Sequence, residues 1–302
     1  HRVDRRQRQM CIRDSMTEAL SFAIQAEFPV VAVLSQRAWP STWTPTFHEQ
    51  WDLNYALNPT FWDFDHIVLC PSSLEETYYF WGLALNLADK YQTIVIFLMD
   101  KQSSEMHGTI WNLKSPEINR WKILEKPTAD FKRYELTDDG ISPRVMVWTK
   151  DWDFIASSYE HDEYWATTED PVMKVKMTEK RFKKLEDFYK KEDIFWYEII
   201  NREAKKIVIC HSFTSYTALE FVKQNSEFWL IIIKFFKPLD ERLRNEIVWK
   251  DEVIFVENNY SGQMENYIVK ELWLKFIDWL KISHLRKYDL FPFYIEDFEE
   301  LK

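Results

Sequence analysis

Glycine is nearly missing from this chain: four residues in 302, where average usage of ~7% would supply roughly 21. Cysteine is scarce too, and outside the first fifteen residues only Cys70 and Cys210 remain. Two cysteines so far apart exclude a disulfide framework and a CxxC metal site, and they point to a reducing compartment. There is no basic excess. The net charge of -10 argues against a dedicated nucleic-acid surface and fits ordinary cytoplasmic solubility. Long apolar runs are also lacking. The longest, near Phe228 to Ile233, is strand length, far short of the ~20 residues of a membrane helix, and no signal peptide is seen.

What is present in excess is tryptophan, with fifteen residues. Glycine and tryptophan together approach the number that glycine alone would ordinarily supply. Trp39, Trp43, Trp51, Trp62, Trp148, Trp152 and Trp165 all fall in polar, turn-like contexts such as Pro-Ser-Thr-Trp-Thr-Pro. Such places favour a residue tolerant of positive φ or close backbone approach, which a bulky indole is not. These positions are read as glycine codons, UGA in the source, translated as tryptophan. An aromatic surface that stacks on sugars or bases is the alternative. The first fifteen residues hold five of the fourteen arginines. They resemble translated adapter sequence more than a basic arm, and are set aside as an artefactual tail.

At this length the chain has room for one large or two ordinary domains. Phe28 to Leu34 is a continuous apolar run suited to the interior of a parallel sheet. His66 to Cys70 and Ile94 to Met99 are further strands, joined by a helix from about Leu74 to Lys90. That helix opens with a capping-box pattern, Ser72 to Glu75, and aligns Leu74, Tyr78, Trp81, Leu85 and Ala88 on one face. A strand, helix and parallel strand of this kind imply a doubly wound α/β sheet. Regular signals fade from Asp100 to about Asp170, and a charged helix follows from Pro171 to Glu192. Its lysines read as a solvated face rather than an anion site, because acidic residues are interleaved. Alternation restarts with strands at Lys206 to Cys210, Trp229 to Ile233 and Glu252 to Glu257. Helices are expected from Ser215 to Gln224, from Pro238, and from Ser261 to about Leu280. The expected division is 16–200 for the first α/β domain, with long interfacial loops, and 201–302 for a smaller second one.

The stretch leaving the first strand, Gln36 to Leu53, reads Gln-Arg-Ala-Trp-Pro-Ser-Thr-Trp-Thr-Pro-Thr-Phe-His-Glu-Gln-Trp-Asp-Leu. Loops at such strand ends carry the sites of α/β proteins. Arg37, beside Ser41, Thr42, Thr44 and Thr46, suits a bidentate hold on a carboxylate, with an ordinary surface ion pair as the alternative. His48 and Glu49 are adjacent, and on an extended segment they point apart, which weakens an acid/base pairing. Glu160-His161-Asp162-Glu163 matches no zinc spacing and reads better as a loop hydrogen-bond network than as a metal site. Glu257 to Gln263 opens a helix straight after a strand, so it is either an anion site or self-capping by Asn259 or Ser261.

With glycine at the suspect tryptophans, the stretch becomes Gln-Arg-Ala-Gly-Pro-Ser-Thr-Gly-Thr-Pro-Thr-Phe-His-Glu-Gln-Gly-Asp-Leu. It resembles the signature loop of the alpha subunit of 2-oxoacid:ferredoxin oxidoreductases, close to the 2-oxoglutarate type. The resemblance continues through Pro71 to Glu76, Ala88 to Thr93, Gly140 to Arg144, Glu160 to Glu163, Glu179 to Arg181 and Val256 to Gln263, and ends at Arg286 to Asp289. It implies a thiamine-diphosphate pyrimidine-binding-type domain followed by a transketolase-C-like one. The implied activity is coenzyme A-dependent oxidative decarboxylation of a 2-oxoacid, with electrons passing through an iron–sulfur cluster to ferredoxin. Arg37 and Thr46 would hold the substrate, with Ser41 and Thr42 beside them. The beta subunit would supply the diphosphate, Mg2+ and cluster sites, which agrees with the shortage of cysteine here.

The resemblance also implies an N-terminal truncation. Met16 to Leu20 resembles an internal helix of the family, so the first domain is expected to be incomplete, without a catalytic residue of its own and inactive alone. Apolar surface meant for the lost part would be exposed. Pyruvate or a branched-chain 2-oxoacid is the alternative substrate, and a noncatalytic aromatic-rich binding module is the alternative of another class.

Overall fold

The computed structural model describes residues 16–302, except 39–43, 45, 112, 147, 151, 187, 193 and 195. A helix over 16–25 (α1) leads to strand β1, Val30–Gln36. Helix α2 (Leu53–Leu57), strand β2 (Ile67–Leu69), helix α3 (Leu74–Tyr91), strand β3 (Ile94–Asp100) and helix α4 (Lys101–Glu105) follow. After a long irregular segment come α5 (Pro171–Lys183) and α6 (Phe188–Lys191). The remainder runs β4 (Tyr197–Ile200), β5 (Lys206–His211), α7 (Thr214–Gln224), β6 (Phe228–Ile233), β7 (Phe235–Lys237), α8 (Leu243–Ile247), β8 (Glu252–Glu257), α9 (Gln263–Glu271) and β9 (Lys281–Arg286).

These strands form two sheets, ordered β1-β3-β2-β7 and β4-β6-β5-β8-β9. Within each, the strands joined by helical crossovers are parallel, whereas β7 and β4 run antiparallel to their neighbours. Alternation along β3 shows how the layers are built. Ile94, Ile96 and Leu98 enter a core shared with Ile207, Ile209, Val253 and Phe255 of the second sheet. Val95, Phe97 and Met99 face the other way, toward Phe80, Ala84 and Leu87 of α3, as the two-residue period of a strand requires. Each such fully buried aliphatic contributes roughly 1.5–3 kcal/mol relative to exposure. The outer face of the second sheet packs on Ala218, Phe221 and Val222 of α7.

Several expectations shift. The buried face of α3 is Phe80, Ala84, Leu87, Ala88 and Tyr91, while Tyr78, Trp81 and Leu85 are 44%, 45% and 49% exposed. Both sides of this helix are apolar, so periodicity alone could not choose between them. The exposed side borders the edge strand β1, where Val31, Tyr78, Trp81, Leu85, Pro116 and Ile118 line a groove of about 450 Å³. The α3 cap lies one residue later than expected: Ser73 accepts from Glu76 N, and the Glu76 carboxylate reaches back to Ser72 N at 2.8 Å. The helix expected to run to Glu192 breaks into α5 and α6. The one expected from Pro238 begins at Leu243, and the one expected to reach Leu280 ends at Glu271, leaving room for β9.

The lysine-rich α5 is only partly a solvated face. Lys174, Lys176 and Lys183 are exposed, but Lys180 and Lys184 turn inward to the buried Glu27 carboxylate, at 2.6 and 2.8 Å. Arg133 joins them, donating to the Glu27 carbonyl at 3.0 Å. Burial alone would raise the Glu27 pKa, yet the surrounding cations hold it well below the carboxylate range. Burial pulls Lys184 down to about 7 against the attraction of Glu27.

Candidate active site

Strands β1 and β3 of one sheet and β5 and β8 of the other end near one another, at Gln36, Asp100, His211 and Glu257. Crevices outside the carboxyl ends of strands are the usual binding sites of open α/β sheets. The loop leaving β1 closes on itself through Ala38 N donating to Phe47 O at 3.1 Å. That bond brings Arg37 and Thr46, which flank the two partners, to the same end of the loop. Arg37 is half-buried, and its side chain makes no hydrogen bond or ion pair with any described residue. Thr46 is exposed. Ser41 and Thr42, with Trp39 and Trp43, lie outside the described residues.

Beneath the loop, His48, Glu49 and Gln50 are all buried. Gln50 is the residue that sequence reasoning missed. Its side-chain oxygen accepts from Asn258 N at 3.0 Å, and its amide nitrogen lies 3.3 Å from Asp100 Oδ2, 3.3 Å from Thr214 Oγ1 and 3.4 Å from the His211 carbonyl. Its backbone bonds Asn258 O and Asn259 Nδ2. Those partners lie 50 to 209 residues away, so no local pattern could have announced them. His48 does not pair with Glu49; its Nε2 lies 3.3 Å from Asn258 Oδ1.

The chain's own carboxylates occupy the helix starts around this crevice. Asp100 accepts from Ser103 N at 2.8 Å and Phe213 N at 2.9 Å, serving α4 and the turn before α7. Glu257 accepts from Met264 N and Glu265 N at 2.9 and 3.1 Å, and Asn259 Oδ1 accepts from Gly262 N at 2.7 Å. Of the two readings of Glu257 to Gln263, self-capping is therefore the one that holds. Burial raises the Glu257 pKa, and these N–H donors offset that only in part. Gly262 is needed here: its φ is +64°, and a Cβ would stand 2.5 Å from the Arg286 guanidinium.

Glu160 to Glu163 form a loop network. Glu160 bonds Arg181 Nη1 at 3.1 Å and Lys174 at 3.0 Å; burial would raise its pKa, but these cations bring it to about 2. His161 stacks on Tyr134 with ring centroids 3.7 Å apart. The Asp162 carboxylate accepts from Tyr164 N and Ala166 N, and Glu163 from Leu136 N. Among the described residues no three His, Cys, Asp or Glu side chains converge as metal ligands. The two cysteines are core residues. Cys70 Sγ lies 3.6 Å from His211 Nδ1, a neighbour invisible in the sequence, but burial pushes its thiol up to about 12, which removes the thiolate. No helix among the described residues is long and apolar enough to cross a membrane.

Two parallel-rich sheets with a polar crevice at their strand ends define an α/β protein of the doubly wound class. Residues 15–181 match the family described as pyruvate flavodoxin/ferredoxin oxidoreductase, thiamine diP-bdg, and the chain belongs to that family. It is 35% identical over 263 residues to the alpha subunit of 2-oxoacid:ferredoxin oxidoreductase 2 of Aeropyrum pernix, covering 82% of this chain and 40% of that one. It is 30% identical over 213 residues to the 2-oxoglutarate synthase subunit KorA of Methanocaldococcus jannaschii, covering 70% and 57%. A solved 2-oxoglutarate:ferredoxin oxidoreductase from Magnetococcus marinus, with 2-oxoglutarate, coenzyme A and succinyl-CoA bound, superposes with a TM-score of 0.82 at 28% identity. That match covers 94% of this chain and 50% of the other. The chain thus spans about two fifths to three fifths of the curated relatives' length.

Whether this chain could hold the family's cofactor can be judged from its own donors. The N–H groups opening α4 and α9 and the one preceding α7 are already taken by Asp100, Glu257 and Asn259. Those N–H groups are therefore not free for a diphosphate, and no residue of this chain is assigned to that group.

Proposed function

We propose that this chain forms part of the alpha subunit of a coenzyme A-dependent 2-oxoacid:ferredoxin oxidoreductase and supplies the wall that grips the substrate carboxylate. The observation that carries this reading is Arg37: a half-buried guanidinium at the carboxyl end of β1, without a partner among the described residues. A guanidinium is always charged and presents a planar fork matched to a carboxylate. Half-buried and without a protein partner, it can exchange its water for a substrate carboxylate. In this reading Thr46, at the same end of the loop as Arg37, donates a hydroxyl to the carbonyl side of the same substrate, and the hydroxyls of Ser41 and Thr42 add to the grip. Thiamine diphosphate, when bound, supplies the electron sink for loss of carbon dioxide.

In this reading a beta subunit brings the diphosphate, magnesium and iron–sulfur sites, and ferredoxin takes the electrons. The substrate is 2-oxoglutarate, supported by the relative named a 2-oxoglutarate synthase subunit and by the neighbour solved with 2-oxoglutarate bound. The test is a panel of 2-oxoacids given to the assembled holoenzyme with coenzyme A and ferredoxin. The highest kcat/KM falls on 2-oxoglutarate; a higher value for pyruvate or a branched-chain 2-oxoacid would overturn the substrate assignment.

A further inference from the structure

We propose that Gln50 is a positioning residue for the Arg37 loop, which bolts that loop to both sheets at once. Gln50 is fully buried. Through one side chain it reaches Asp100 at the end of β3, His211 at the end of β5 and Asn258 just beyond β8. Its backbone adds Asn258 O at 2.8 Å and Asn259 Nδ2 at 3.0 Å. Two residues before it, His48 N donates to Leu290 O at 3.2 Å, and Asn258 Nδ2 donates to Phe291 O at 3.2 Å. The second sheet thereby fixes the return limb of a loop whose outgoing limb carries Arg37. A shift of about 1 Å in such a support can cost on the order of 100-fold in rate, so the support belongs to the site's function as well as to its stability.

The role rests on the substrate reading of Arg37 for its kinetic half only, and the experiment separates the two. Gln50→Met keeps the volume but removes both the donor toward Asp100 and the His211 carbonyl and the acceptor for Asn258 N. Hydrogen exchange on the chain, without substrate, should show faster exchange of the amides at 46–50, with those of β3 and β5 still protected. In the holoenzyme the KM for the 2-oxoacid should rise about 10-fold or more while kcat falls less. Unchanged exchange would overturn the positioning role. Faster exchange with an unchanged KM would overturn its kinetic half, and a normal KM in Arg37→Ala as well would place that failure in the substrate reading.

Independently of Gln50, three tryptophans stand on backbone that suits glycine. Nine non-glycine residues among those described have positive φ, and three are tryptophan: Trp148 at 73°, Trp165 at 85° and Trp273 at 55°. Each sits in a turn or at a helix end where that conformation is common. Trp165 closes a short hairpin in which Trp165 N donates to Asp162 O and Asp162 N to Ala166 O, beneath the His161 to Thr167 bridge. In such loops the left-handed residue is ordinarily glycine. Trp273 is the second residue past α9, with Trp273 N donating to Lys270 O, the glycine position of a helix end. Trp148 is third in a turn closed by Thr149 N and Met146 O, where positive φ again favours glycine.

Trp148 and Trp273 are 91% and 64% exposed, so their indoles recover nothing by burial. Trp51, Trp62 and Trp152, also in turn-like sequence, do not show positive φ. We infer that glycine is the native residue at 148, 165 and 273, in keeping with a chain that has only four glycines. Peptide mass spectrometry of the protein made by its source should read glycine at all three; tryptophan at any of them would overturn the assignment there. In the recombinant chain, glycine at each position should give a Tm about 2 °C above alanine. Alanine equal to or above glycine would contradict the backbone argument.

Discussion

Replacing Glu27 by glutamine removes the carboxylate that faces three buried cations, Lys180, Lys184 and Arg133. Its carboxylate is fully buried, and Lys180 and Lys184 beside it are 2% and 3% exposed. Arg133 adds a third buried charge. Deleting one partner of a buried ion pair typically costs about 3–5 kcal/mol, because the charge left behind has no water to turn to. One term caps that cost. Burial already pulls Lys184 down to about 7, so near neutrality it can shed its proton for roughly 1.4 kcal/mol per pH unit. Lys180 then carries most of the penalty, and the expected loss at pH 7 is about 3 kcal/mol. The loss should shrink between pH 7 and 9, since without the attraction of Glu27 the folded variant holds fewer protons on Lys180 and Lys184 than the folded parent does, and so gains more stability as pH rises. Urea unfolding of both proteins at pH 6, 7 and 9 measures this directly. A loss below about 1 kcal/mol at pH 7, or one that grows with pH, would refute the reasoning.

Glu160 gives a pH dependence of the opposite kind. Its pKa falls from 4.5 to about 2 under the pull of Arg181 and Lys174, so its contribution is complete above pH 4.5 and is lost as pH falls toward 2. Glu160→Gln should therefore flatten the acid limb of a stability–pH curve, and an unchanged limb would contradict the assignment. Gly262→Ala places a Cβ 2.5 Å from the Arg286 guanidinium at positive φ, and should cost about 1–3 kcal/mol in thermal unfolding; since the backbone strain stays even if Arg286 moves aside, a neutral result would contradict the argument.

Much of the architecture could be read from residues that repeat a period. Ile94 to Met99 and Lys206 to Cys210 are continuous apolar runs, and both became buried parallel strands. The short strands β4 and β7 escaped because their partners, not their composition, make them strands: Tyr197 to Ile200 pairs with β6, and Phe235 and Lys237 with β2. β9 follows directly on the expected helix and was missed; that helix itself ends early, at Glu271, before Trp273, whose left-handed backbone is incompatible with a continuing helix. At the proposed site, Arg37 and Thr46 could be put forward from sequence because they sit in one loop. Gln50 could not, since its meaning lies in Asp100, His211 and Asn258, contacts that only the folded chain creates. The pairing of Lys180 and Lys184 with Glu27 was concealed for the same reason.

The grip of Arg37 on a substrate carboxylate is tested most directly by Arg37→Ala in the assembled holoenzyme, with KM and kcat measured for 2-oxoglutarate. A charge-assisted hydrogen bond contributes about 1.5–3 kcal/mol, so KM should rise about 10-fold or more. Arg37→Lys should recover part of that loss, because it keeps the charge and loses the fork. A KM unchanged in Arg37→Ala would contradict the account at its centre.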